Sequence, residues 1–333
     1  MLGSVTEFAE SCDLHGLASA SNLAALVVSL SNYHEEGEAL LPEIYLCNDI
    51  REVTKMLPGH DLIELGQGDD ASKVLLEALK KCAPLAKSNW CIFVDKRDHK
   101  YQYGLFRGSL NPLAISIEET LFSEPLLALS VARLCQTASG CVELKNTKGE
   151  VCHLLLNDKP DGSPPPNADV AKLVEQITSC VAKPIQEQTR NYLSKLIGKA
   201  LSECHGALIV VLPKSSLPKY IQDGSKLQPP LDFAAVIDAF TNGQDREENE
   251  QKLNSYGSLI AGMIASDGIA AFDTQARLLA FNCFLSLPNP KQGKKVVGGA
   301  RTRAYEALSA RVGKNMTAAF MRSQDGWTKF RSK

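Results

Sequence analysis

Arg301 and Arg303, one threonine apart, follow Gly298-Gly299-Ala300 in "VVGGARTRAYEALSARVG" and open a stretch that reads as a helix. Small residues leave backbone N–H groups open to a close partner, and guanidinium forks add fixed positive charge. Cations are disfavoured at a helix N-terminus, where the dipole end is positive, unless an anion shares the spot. Turn, helix end and arginines together suit phosphate. The bland reading of the same residues is a tight turn before two solvated arginines. A second group is Asp267-Gly268, where a helical pattern gives way to the apolar run "DGIAAFD". It is either a site carboxylate beside a glycine that admits close approach, or an ordinary helix-end or turn residue.

Charge points the same way. Between Lys291 and Lys333 there are eleven Lys or Arg against two acids, Glu306 and Asp325, a net of +9. The whole chain carries −2, so the other 290 residues hold −11. The basic end is a solvated tail or a patch that focuses anionic ligands. It lacks interleaved exposed aromatics, so nucleic acid is not the expected partner.

The elements that must position these groups fall into two halves. "NDKPDGSPPPN", residues 157–167, cannot continue a helix or a central strand, so the expected domains are 1–157 and 168–333, joined by a Pro-rich linker at 158–167. In the first half "LASASNLAALVVSLSNYHEEGEALLPEI" has helical periodicity, with His34, Glu35 and Glu36 read as an exposed helix end. "DDASKVLLEALKKCAPLA" reads as a helix capped by Asp69 or Asp70. His60 and Asp61, after Pro58-Gly59, read as a turn, while "WCIFVDKRDHKYQYGLFRG" and "CVELKNTKGEVCHLLL" read as hairpins. The expectation is an α+β domain of helices on an antiparallel sheet.

In the second half the residues from Ala168 to His205 are helical, with Pro184 marking a kink or break. "GALIVVLP" is a buried strand, "DFAAVIDAFTNG" and "EENEQKLNSYGSLIAGMIAS" are helices, and "DGIAAFD" and "RLLAFNCFLSLP" are further strands. This is an α/β domain with a mixed sheet flanked by helices. No internal repeat is visible. Apolar residues make up 44% and charged residues 22%, which sets aside disordered and collagen-like classes. The acidic start lacks a signal-peptide pattern, and no apolar run reaches the ~18 residues of a spanning helix. Ten cysteines without a CxxC pair are expected to be reduced and mostly buried, in a cytoplasmic protein without a zinc site.

Three landmarks then align. "HGALIVVLP", Asp267-Gly268-Ile269, and Gly299-Ala300-Arg301-Thr302-Arg303-Ala304-Tyr305 occur in the order and spacing of "GALIV", "DGA" and "GTRHRAA" in diadenylate cyclase domains. The second half resembles that family, and the first half looks like one of the sensor modules fused to such domains. The resemblance implies a homo-oligomer in which two cyclase domains face each other, each holding one ATP, and make cyclic di-AMP with release of pyrophosphate. It implies that Asp267, with Asp325, holds Mg²⁺ or Mn²⁺, and that Arg301 and Arg303 clamp the phosphates. Gly268, Ile269, Gly299, Ala300, Thr302, Ser323 and Gln324 would complete the nucleotide site. The chain departs from the family at Thr302, where the family has histidine, and at Ile269 and Ala300, where it has alanine and threonine. The family's closing "SEETG" is "RSQDG" here, which leaves only Asp325 for the second metal carboxylate. Two expectations follow: a cyclase governed by its first domain, or a degenerate cyclase domain that senses a nucleotide or cyclic dinucleotide.

Overall fold

A computed structural model describes residues 2–87, 89–126, 128–156, 168–286, 299–324 and 326–333. The chain divides into two compact units, Met1–Ser163 and Pro164–Lys333. Each is mixed α/β, a sheet flanked by helices. The Pro-rich linker at 158–167 lies outside the described residues.

The first unit opens with helices α1 (Leu2–Ser11) and α2 (Ala20–Leu30) and continues through β1 (Glu43–Cys47), α3 (Ile50–Lys55) and β2 (Asp61–Gly68). Then come α4 (Ala71–Cys82), β3 (Cys91–Arg97), β4 (Lys100–Arg107), α5 (Ile117–Phe122), β5 (Val131–Ala138), β6 (Cys141–Asn146) and β7 (Val151–Leu155). Asp70 caps α4 by accepting from the Lys73 N–H at 3.2 Å, as its position before the apolar run predicts. The sheet order is β2-β4-β3-β1-β5-β6-β7. Ile44, Leu46, Ile92 and Val94 pack under α1, α2 and α4, while Tyr45, Cys47 and Phe93 pack under α3 and α5.

Three expectations for this half change. The sheet is mixed, because β1 and β3 run parallel; the sequence exposes hairpins, which are local, but not a pairing made through a helical crossover. His34 and Glu35 end no helix: they form a two-residue strand paired with Glu38–Ala39. Asp61 is no turn residue either, since it begins β2 and binds Arg107 through a 2.6 Å contact.

The second unit runs α6 (Val170–Ile177), α7 (Lys183–Glu203), β8 (Ala207–Leu212), β9 (Ser225–Asp232), α8 (Phe233–Thr241), α9 (Arg246–Ala265) and β10 (Ile269–Asp273). It closes with β11 (Arg277–Leu285), α10 (Ala300–Ser309), β12 (Ala318–Arg322) and β13 (Thr328–Ser332). Pro184 stands in the first turn of α7, so it breaks rather than kinks the helical stretch. The central order is β11-β10-β8-β12-β13, with β9 and a short strand at Ile221–Gln222 beside β11. Every residue of β8, β10 and β12 is buried, as expected of strands covered on both faces. Tyr305 and Leu308 of α10 pack on Leu208, Val210 and Leu212.

The two units share much of one plan, although no repeat is visible in the sequence. In each, two helices precede a central strand, β1 or β8. A helical crossover then leads to a strand parallel to it, β3 or β10. That strand forms a hairpin with β4 or β11, whose far side pairs with the earlier edge strand, β2 or β9. One helix, α5 or α10, leads to a strand antiparallel to the central one, and a hairpin follows; it closes the sheet in the second unit, whereas β7 adds one more strand in the first. Parallel crossovers of this kind are almost always right-handed, so the shared order is a shared fold.

A detail confirms the correspondence. Asp95 lies opposite Cys47, the last residue of β1, and Asp273 opposite Leu212, the last residue of β8. Asp95 accepts from the N–H of Ile50, three residues past the end of its central strand, at 3.1 Å. Asp273 accepts from the hydroxyl of Ser215, also three residues past its central strand, at 3.0 Å. Each pairs with an arginine from its own hairpin: Arg97 at 3.1 Å, Arg277 at 2.8 Å. The likeness lies in pairing and burial and has no counterpart in sequence: "EIYLC" carries a carboxylate and a phenol, whereas "ALIVVL" is apolar throughout.

Candidate functional site

The sequence-selected groups of the second unit meet at one edge of its sheet. Leu208 pairs with Ile269 and Ala207 with Arg322, so the starts of β8 and β10 and the end of β12 lie side by side. Gly206 and Asp267 each stand two residues before the Leu208–Ile269 pair, at the same level of the edge. Asp267 is exposed, whereas Ile269 is 2% exposed and belongs to the core. Ile269 therefore shapes the floor behind the edge and does not offer its side chain to it.

Both glycines are required by their surroundings. A Cβ on Gly206 would lie 2.5 Å from Nη1 of Arg301 and 2.8 Å from the Arg322 carbonyl oxygen, and its φ is +133°. The Arg301 guanidinium, from the second position of α10, thus rests on the chain entering β8. A Cβ on Gly268 would lie 2.8 Å from the Asn282 backbone, again at a φ, +135°, that other residues rarely adopt. These two contacts fix the shape of the edge.

Gly299 and Ala300 are exposed at the N-terminus of α10, with Gly299 as N-cap. No side chain caps that end. Thr302 is half-buried and Arg303 exposed. The arginines therefore enter the first turn where the dipole opposes them, and Arg301 turns back to the sheet edge. Gly298, the glycine before this turn, lies outside the described residues.

Ser323 stands in the turn between β12 and β13. Its hydroxyl accepts from the Trp327 N–H at 3.1 Å, and its own N–H donates to the Trp327 carbonyl at 2.8 Å. It closes the β12–β13 hairpin, at the same edge. Gln324 is exposed in that turn. Asp325 lies outside the described residues, so the expected pairing of Asp267 with Asp325 has no geometry here. Among the described residues, no three His, Cys, Asp or Glu side chains gather closely enough to hold a metal. A lone exposed carboxylate still fits Mg²⁺ or Mn²⁺ arriving with a nucleotide, since Mg²⁺ commonly takes one or two carboxylates and fills its shell with phosphate oxygens and water.

Sequence reasoning passed over two parts of this edge. Gly206 was seen only as the start of an apolar strand, although a glycine immediately before a fully buried strand signals a close approach. Arg322, 3% exposed, donates from Nη1 to the Cys204 carbonyl at 2.7 Å, and burial lowers its pKa from the usual guanidinium value. It braces the chain between α7 and β8 from the opposite side to Arg301.

The corresponding edge of the first unit is built from other chemistry. Helix α5 carries a capping box, Ser116 with Glu119, and Glu118 at its second position. Glu118 reaches Arg133 at 3.5 Å and Lys145 at 3.2 Å. Arg133, buried, also binds Glu43 and Glu143, each at 2.9 Å, and Glu143 meets His153 at 3.1 Å. Burial pushes the Glu43 and Glu143 carboxyls up, but their cationic partners more than offset it and hold both below the ordinary carboxylate value.

The ten cysteines are unpaired thiols: eight are buried, Cys152 is partly so and Cys180 is exposed. Among the described residues no helix is long and apolar enough to cross a membrane. The chain matches no protein-family model, and no curated protein is detectably similar to it.

Proposed function

We propose that the second unit is a diadenylate cyclase domain, binding ATP at the edge formed by Gly206, Asp267, Gly268 and the N-terminus of α10. The observation that carries this reading is the Arg301 guanidinium laid on Gly206, level with Asp267. A fixed cation, a helix N-terminus with no side-chain cap among the described residues and an exposed carboxylate then share one edge, a combination suited to a triphosphate with its divalent ion. The mixed sheet flanked by helices also fits the resemblance.

In this reading Arg301 and Arg303 hold the phosphates and neutralise charge as it moves to the leaving pyrophosphate. Asp267 would hold Mg²⁺ or Mn²⁺, which supplies further charge neutralisation when bound. Two such edges facing each other place the 3′-hydroxyl of each ATP at the α-phosphorus of the other. Each new P–O bond forms as the bond to pyrophosphate breaks, and the hydroxyl proton passes to water. The protein works in the cytoplasm as a homo-oligomer, with the first unit as its regulator.

A second reading, a nucleotide or cyclic-dinucleotide sensor, draws on "RSQDG", which has the neutral Gln324 where the family carries a glutamate. One experiment separates the two. Purified protein is incubated with ATP, and separately GTP, with Mg²⁺ or Mn²⁺, and products are resolved by chromatography and mass. We expect cyclic di-AMP that disappears in Asp267→Asn. Nucleotide binding without any product would overturn the cyclase in favour of the sensor, and the absence of binding would overturn both.

A further inference from the structure

We propose that the first unit is a second copy of the same fold whose phosphate edge has been closed by charge inversion. Each chain then takes up a single nucleotide, through the second unit, so that the first unit cannot serve as the facing partner which the function proposed above requires. The inference rests on the function proposed above for the second unit.

The correspondence of the units is set by strand order, by pairing sense and by the matched aspartates Asp95 and Asp273. It places α5 where α10 stands, each leading into the strand antiparallel to the central one. At the second position of these helices the second unit has Arg301 and the first has Glu118. The third position is Thr302 against Glu119. A carboxylate at a helix N-terminus satisfies the dipole from within the protein, while an arginine there leaves it for an outside anion. The Glu119 side chain accepts from the Ser116 N–H at 3.0 Å, whereas at α10 no side-chain cap is found among the described residues.

The remaining groups agree. Where the second unit brings Gly206 and Asp267-Gly268 to the edge, the chain entering β1 has Pro42 and that entering β3 has Asn89 and Trp90. Pro42 has no N–H to offer a phosphate. Arg133, the buried cation near this edge, is enclosed by Glu43, Glu118 and Glu143. A phosphate approaching it would meet three carboxylates first, and displacing them would strand buried charge. The first unit thus keeps the fold and refuses the ligand.

The test is the stoichiometry of uptake of a non-hydrolysable ATP analogue with Mg²⁺ by the full chain, measured by calorimetry. One site per chain is expected, lost at least thirtyfold in affinity in Arg301→Ala and unchanged in Glu118→Gln. Two sites per chain, or a site that survives Arg301→Ala but weakens in Glu118→Gln, would overturn this inference and leave the second unit's function standing. No uptake by the parent chain would overturn the function and this inference with it. A second measurement addresses assembly: product formed by chains that light scattering shows to be monomeric under assay conditions would overturn assembly between chains. A rate per chain that rises with protein concentration, in step with association, would support it.

Discussion

Helix α10 begins with Ala300 and Arg301; helix α5, at the same place in the other unit, begins with Ile117 and Glu118. Behind these ends the units are alike. Tyr305 packs inward from the sixth position of α10, Phe122 from the sixth of α5, and a buried aspartate ties the parallel pair to the chain leaving its central strand. The core and the hidden polar tie hold the shared plan, while the exposed edge differs most between the units. Fold and function here occupy different residues, and a change of charge at the edge need not disturb the sheet behind it.

The comparison can be broken most directly at the edge itself. Arg301→Ala should weaken nucleotide binding by about 2–4 kcal/mol, the range for truncating one partner of a desolvated charge pair. Thermal stability should change little. Equal binding in parent and variant would remove the functional half of the contrast.

The shared aspartates provide the next test, in stability. The Asp273 carboxylate accepts from Ser215, from the backbone N–H groups of Gln275 and Arg277, and from the Arg277 guanidinium. Asp273→Ala breaks all of these at a site 1% exposed and should cost about 3 kcal/mol in denaturant unfolding. A loss below about 1 kcal/mol would show that the tie is dispensable to the plan.

A smaller effect is expected where the units differ in backbone. Gly206→Ala puts a methyl group against Arg301 and the Arg322 carbonyl at a left-handed φ, and should cost about 2 kcal/mol. Nucleotide affinity should fall with it, because Arg301 must move. A variant as stable and as tight-binding as the parent would mean that the guanidinium does not rest there.

The smallest effect, and the sharpest on the comparison, concerns Asp95. Its Oδ2 is bound to Ile50 and Arg97, but its Oδ1 is buried without a partner, unlike either oxygen of Asp273. Burial raises its pKa above the ordinary aspartate value, opposed in part by the Ile50 N–H and Arg97. The native state therefore holds a proton that the unfolded chain has released, between the ordinary aspartate range and the raised value. Stability from this group is greatest at low pH and falls as pH rises through that window. Compared with Asp95→Asn, the parent should gain stability as pH is lowered through it. A difference between the two proteins that stays flat with pH would show that Asp95 titrates as an ordinary carboxyl.

Local structure was legible where one residue acts on its neighbours. A cap at Asp69 or Asp70 and a kink or break at Pro184, of which the structure selects Asp70 and a break, and "GALIVVLP" as a buried strand could all be read from a few consecutive residues. The duplicated plan could not, because it consists of which strands pair, and β8 meets β10 only after two helices have intervened. The site was half legible for the same reason. Asp267 and Arg301 declare themselves by type and position, but the contact of Arg301 with Gly206 joins parts of the chain with no local signature of each other.

A chain that builds one sheet twice must also avoid mixing the copies. During refolding, β3 and β10 each seek a parallel neighbour, and chains of repeated folds are prone to misassembly by exchange of equivalent strands. Here the two central strands are poor substitutes for each other. β1 carries Glu43 and Tyr45 toward the Arg133 cluster, whereas β8 is apolar at all six positions. A swapped β1 would bury a carboxylate away from its arginine, and a swapped β8 would leave Arg133 short of a partner. The divergence that ended one unit's likeness to the other at the surface thus also sorts the strands within, and synthesis from the N-terminus lets the first sheet close before the second has emerged.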